Sequence, residues 1–311
     1  MESLHLLPRA NPNQGCTVST CDPSQSVYGY RPNLAATLVF LILFTLSGLI
    51  YTWQGILTKT NFFTTAMVLG CLSELLGYVA KMLLWKDPFS DAGFKMSVVL
   101  LTFAPAFYSA GIYYTLKHIC LTFGAGFSRL RPGLYTWVFI SCDVFSIVLQ
   151  AAGGATASAS EDEKVLKIGD NIMIAGLATQ VATMLAFGLF AADYCFAIYR
   201  NRAHLNPATA TLRRQMKFKL FCAALWLAYS VILIRCAYRL AELAKGWGPQ
   251  NDILRNQRLF VGLDSVMCAI ASVVLNVWHP GWSFPEEERD VVMAEKRVAG
   301  ESSDEEEMVG V

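Results

Sequence analysis

Charge is what this sequence has least of. Asp, Glu, Lys and Arg make up 16% of its 311 residues, against about a quarter in an ordinary soluble domain. A soluble chain of this length needs charge to cover its surface, so the shortage points to lipid as the solvent around much of the molecule. A formal net charge of +1 gives no reason to invoke nucleic acid or any strongly charged partner. There is no G-x-x-x-x-G-K-[ST] phosphate loop, hence no sign of an ATP-driven pump. No H-E-x-x-H and no nucleophile elbow occurs, and the histidines (His5, His118, His204, His279) are scattered without metal-ligand spacing. No catalytic residue, metal or cofactor is therefore expected, and the chain does not read as an enzyme. The first thirty residues lack the basic start and apolar core of a cleaved signal peptide, so the first apolar segment serves as its own targeting signal.

What the chain has instead is long apolar runs. About 20 apolar residues span a bilayer core as helix. Seven segments qualify: Leu34–Trp53, Phe62–Trp85, Met96–Leu116, Leu134–Ala155, Asn171–Ala192, Phe218–Leu243 and Leu259–Trp278. Basic loop residues orient them. With the N-terminus outside, the cytosolic side receives Lys59, Lys117, Arg129 and Arg131, then Arg200, Arg202, Arg213, Arg214, Lys217 and Lys219 between helices five and six. The expected fold class is an all-α membrane protein, a seven-transmembrane-helix bundle with N-terminus outside and C-terminus cytosolic, most naturally in the plasma membrane. Three regions follow: an extracellular polar leader (1–33), a membrane domain (34–281) and a disordered acidic cytosolic tail (282–311).

Ionisable residues inside spans are costly and normally face the bundle interior or a wet cavity. Here they fall on stripes at helical spacing. Helix two carries Glu74, Tyr78 and Lys81; helix four carries Asp143 and Gln150; helix five carries Gln180; helix six carries Arg235, Arg239 and Glu242; helix seven carries Asp264. Two readings stand side by side. The groups line a polar cavity that opens outward and binds a ligand, or they pair as interhelical salt bridges that hold the bundle. Pro105 frees a backbone carbonyl and kinks helix three. Two receptor types are excluded by what is missing: helix seven has no lysine for a retinal Schiff base, and no Asn-Pro-x-x-Tyr.

In their order and spacing these residues resemble the fungal lipid-translocating exporter family, also described as resistance-to-aminocholesterol-like, which includes sphingoid long-chain-base exporters. The carrying residues are Glu74-Leu75-Leu76-Gly77-Tyr78, Ala104-Pro105-Ala106-Phe107 with Ala110 and Tyr113, Phe139 with Asp143, Gln150 and Gly153, then Gly169, Gly176-Leu177 and Gln180, then Arg235, Arg239 and Glu242, Asp264, and His279-Pro280-Gly281. Three positions depart from the family pattern: Lys81 stands for an arginine, Gln257 for an acidic residue and Val261 for a tyrosine. The resemblance implies export or transbilayer movement of an amphiphilic lipid, or resistance to a membrane-active amphiphile, with Glu74, Asp143 and Asp264 holding the headgroup. The partner is then a membrane lipid or amphiphilic small molecule. A seven-helix receptor binding an amphiphile in the same outward cavity is the alternative, and a structural membrane protein acting on lipid asymmetry indirectly is a third.

Two features lie outside the spans. Cys16 and Cys21 stand in the leader on the oxidising side, where a disulfide persists. The other seven cysteines lie in or beside apolar stretches, where cysteine acts as a small hydrophobe. Ser302 and Ser303 precede Asp304-Glu305-Glu306-Glu307, a pattern suited to an acidophilic kinase.

Overall fold

A computed structural model of the chain describes residues 20–123, 132–159, 162–201, 210, 214–246 and 250–283. Among these, seven helices are long and apolar enough to cross a membrane. They are α1 Leu34–Thr58, α2 Asn61–Lys86, α3 Asp91–Phe123, α4 Pro132–Ala159, α5 Glu163–Arg200, α6 Met216–Ala244 and a composite α7. The last runs as α-helix over Gln257–Phe260, widens to π-helix over Val261–Ser265, and returns to α-helix over Val266–Val277. A short α8 follows at Pro280–Ser283. The chain is therefore a multi-pass integral membrane protein built wholly of helix among the described residues.

α1 is inverted relative to a water-soluble helix. Along α1, Val39, Ile42, Leu46, Leu49 and Ile56 are exposed, while Thr37, Ser47, Gln54 and Thr58 are buried with Phe40, Phe44 and Tyr51. Lipid accepts the apolar face, and the polar groups must find partners inside. They do. Tyr51 donates to the Ser272 carbonyl (2.7 Å) and Gln54 to the Asn276 carbonyl (2.9 Å), tying α1 to α7.

α4 and α5 meet at backbone contact. A methyl on Gly153 would lie 2.6 Å from the Gly169 carbonyl oxygen, and one on Gly176 2.8 Å from the Ser146 carbonyl oxygen. Without a hydrophobic drive between helices in lipid, such close approach is what supplies dispersion energy.

The described part of the leader packs onto one end of the bundle. Tyr28 is buried against Phe94 and shares a hydrogen bond with Ser97 (3.2 Å). Arg31 donates to the Trp85 carbonyl (2.7 Å) and Arg255 to the Ser24 carbonyl (2.8 Å). Burial pushes the Tyr28 phenol up to about 12, so it stays a neutral hydrogen-bonding group at physiological pH.

Candidate functional site

The centre of the site begins with a proline. Pro105 sits inside α3 and has no N–H to offer the carbonyl four residues back, which is that of Leu101. Arg235, reaching across from α6, donates Nη2 to that carbonyl at 2.6 Å. The same guanidinium meets Glu74 Oε1 of α2 at 3.0 Å and Asp264 Oδ1 of α7 at 3.1 Å, with all three side chains fully buried. One arginine thus joins four helices, one of them through the carbonyl that proline released.

A turn along α6, Arg239 extends the cluster. It pairs with Glu242, lies 3.5 Å from Asp264 Oδ1, and donates to Thr102 Oγ1 of α3 at 3.2 Å. Asp264 reaches both arginines from the π-helical turn, whose wide hydrogen bond runs from the Val266 N–H to the Val261 carbonyl. Such turns concentrate at functional positions. Lys81 is buried but makes no ion pair among the described residues; its Nζ stands 3.2 Å from the centroid of the Phe260 ring and 5.1 Å from that of Tyr28. Three cations (Lys81, Arg235, Arg239) face three anions (Glu74, Glu242, Asp264), so the cluster is formally neutral.

Two other polar centres stand apart from it. Asp143 of α4 is 2% exposed and accepts from Ser109 of α3 at 2.5 Å, with the Tyr113 hydroxyl also beside it. Among the described residues it has no ion-pair partner. Further along the same helix, Gln150 donates to Gln180 of α5 at 3.0 Å. Tyr78 is stacked between Phe40 and Phe44 of α1, with ring centroids at 5.5 and 5.8 Å.

The stripes read from the sequence are therefore all buried. Glu74, Arg235, Arg239, Glu242 and Asp264 close on one another, while Asp143 belongs to a different contact. Of the three carboxylates expected around one headgroup, Glu74 and Asp264 hold Arg235, while Asp143 accepts from Ser109. What opens beside the cluster is a pocket of about 10 Å³ lined by Tyr30, Tyr78, Lys81, Gln257, Val261 and neighbours, room for about one water. The three positions that depart from the family pattern all line it. Ser109, the hydroxyl on Asp143, is a site residue the sequence reading missed; its only signal was its place one turn before Tyr113.

The family model described as "RTA1 like protein" matches residues 67–287. The chain belongs to the RTA1-like family. Among its relatives, "Sphingoid long-chain base transporter RSB1" of Saccharomyces cerevisiae (strain Lalvin EC1118 / Prise de mousse) is 31% identical over 290 residues, covering 84% of this chain and 75% of that protein. "Probable lipid transporter atnI" of Emericella nidulans is 25% identical, covering 82% and 68%. "Protoporphyrin uptake protein 1" of Saccharomyces cerevisiae is 26% identical, covering 84% and 94%. No solved structure matches. The RTA1-like match spans every charged residue of the cluster and Asp143. No group of His, Cys, Asp and Glu suited to a metal occurs among the described residues. Cys21 is disulfide-bonded, while Cys16, Ser302 and Ser303 lie outside the described residues.

Proposed function

We propose that this chain moves a long-chain amphiphile with a cationic head across the membrane, and that Asp143 receives the head. The observation that carries the reading is a buried carboxylate without a cation among the described residues, in a family whose named members include a sphingoid long-chain base transporter and a lipid transporter. A lone intramembrane charge is costly and marks a pathway by default. An ammonium entering beside Asp143 supplies the missing counter-charge, and Ser109 and Tyr113 offer hydroxyls to the head's polar groups. Glu74 and Asp264, held by Arg235, brace the bundle. No nucleotide motif is present, so movement is passive or ion-coupled; exchange of ammonium for proton at a buried carboxylate would provide the coupling.

Reconstitution into liposomes with fluorescent sphingoid-base and phospholipid analogues tests this. Protein-dependent movement of the sphingoid analogue is expected, with Asp143→Asn abolishing it while folded protein remains. Glu74→Gln should instead act through lowered abundance. Saturable binding without movement would favour a receptor, and full activity of Asp143→Asn would remove Asp143 from the site.

The basic residues between α5 and α6 support an N-terminus outside and a cytosolic tail, with the plasma membrane as the setting. The leader (1–33), membrane domain (34–281) and acidic tail (282–311) keep their expected roles in this reading. Reporters at Ser160 and after Val311 should fall on opposite sides; both on one side would break it. Mass spectrometry of the native protein should find Cys16 joined to Cys21, and phosphate on Ser302 or Ser303. Free alkylation of both thiols would reverse the first assignment, and an unmodified tail peptide the second.

A further inference from the structure

A cavity of about 160 Å³ lies between α3, α5 and α6, walled by Ile112, Leu116, Phe187, Ala191, Leu225 and Trp226 among others. It occupies the opposite half of the bundle from Arg235, and its chemistry is the reverse. The polar atoms that approach it are turned away: Tyr194 donates to the Cys120 carbonyl (3.0 Å) and Tyr229 to the Met184 carbonyl (2.9 Å). Water needs two to four polar partners to occupy a cavity, and an apolar space of about 150 Å³ stays dry and takes a six-carbon ring. Hydrocarbon is the matching occupant.

Position says which hydrocarbon. Two wall residues, Cys195 of α5 and Trp226 of α6, are exposed, so the cavity meets the lipid-facing surface between these helices. At its other end Phe187 contacts Tyr113 with ring centroids 4.3 Å apart, and both contact Phe139, at 5.4 and 5.7 Å. Phe139 precedes Asp143 by one turn of α4, and Tyr113 stands beside its carboxylate. The cavity therefore runs from the lipid surface to the aromatic wall of the Asp143 site.

We propose that this cavity receives the single alkyl chain of an amphiphile whose ammonium is held at Asp143. The inference rests on the reading of Asp143 given above. Bilayer hydrocarbon is as apolar as the cavity walls, so a chain gains no hydrophobic free energy by entering. Residence is decided by the ion pair at the head and by the fit of the chain. A single-tailed cationic amphiphile should hold the cavity against bilayer lipid, and a neutral two-tailed phospholipid should not.

The test uses the full chain in phosphatidylcholine nanodiscs and a sphinganine carrying a diazirine in its alkyl chain. After photolysis, adducts should concentrate on the α3, α5 and α6 wall residues. A tenfold excess of unlabelled sphinganine should lower them about tenfold by mass action, and added phosphatidylcholine should leave them unchanged. Ala191→Phe, which fills the space, should lower wall adducts by a similar factor, while Ala191→Ser keeps them. If Ala191→Phe fails to fold, the adduct map of the unaltered chain still decides. Adducts scattered over lipid-facing positions such as Leu189 and Phe196, or wall adducts displaced equally by phosphatidylcholine, would overturn the proposal. Sphinganine-competed wall adducts in a protein that moves no lipid would sink transport and leave the chain site standing. Movement with scattered adducts would do the reverse.

Discussion

The half of the bundle around Arg235 and the half around Ala191 solve the same problem in opposite ways. Around Arg235, charge has been taken out of both water and lipid, and every carboxylate in the cluster closes on a guanidinium. Around Ala191 the walls are apolar and leave space unfilled. A buried ion-pair cluster is costly to open, because each ion released leaves another uncompensated. An apolar cavity in lipid can fill and empty at little cost, since bilayer hydrocarbon replaces what leaves. The contrast assigns rigidity to one half and exchange to the other. Asp143 stands between them, with a carboxylate like the first and an aromatic wall shared with the second.

The sharpest way to break that contrast is Arg235→Met. It leaves Glu74 buried without its guanidinium, Asp264 with Arg239 alone at 3.5 Å, and the Leu101 carbonyl without its donor. The expected loss is about 3–5 kcal/mol, read as collapse of detergent-stable protein in a thermal-unfolding assay; unchanged stability would show the cluster to be dispensable. In the other half, Leu225→Ala enlarges a space that lipid can enter. Its cost should fall near the low end of the range for buried leucine, about 2 kcal/mol, and should shrink when sphinganine is added. A loss as large as that of Arg235→Met would erase the distinction between the halves. The smallest effect is expected at the amide pair. Gln150→Leu removes one interhelical hydrogen bond, worth about 0.6 kcal/mol in such settings. A cost of several kcal/mol would mean that this pair belongs with the charged cluster.

The seven spans were legible because bilayer thickness imposes a run length that hydropathy alone reveals. Their ends were not. The apolar part of α5 is Asn171–Ala192 with a helical extension expected to Tyr199, close to the observed end at Arg200, yet the helix begins as early as Glu163, since backbone hydrogen bonding continues past the hydrocarbon where side chains can be polar. The charged faces were legible too, as Glu74 and Lys81 or Arg235 and Arg239 share a stripe by spacing. Their partners were not, because which stripe meets which depends on how helices cross. Nothing in the identity of Asp143 distinguishes it from Asp264; one meets arginine and the other serine only in three dimensions. The cavity was invisible for another reason. Its walls are ordinary apolar residues on three helices, each unremarkable in its own segment.

The π-helical turn at Val261–Ser265 also bears on how this sequence can change. It is a place where α7 carries a residue in excess of α-helical winding. Losing one residue there, Gly262 for example, would close the wide turn to α-helix while Phe260 and Ser272 keep their phase, because the turn already absorbs that residue. A deletion in the regular part, Val266–Val277, has no such turn to absorb it and would swing one side of the helix by about 100° relative to the other. A single residue can therefore be lost at the turn without changing which residues α7 shows the bundle, and nowhere else along it.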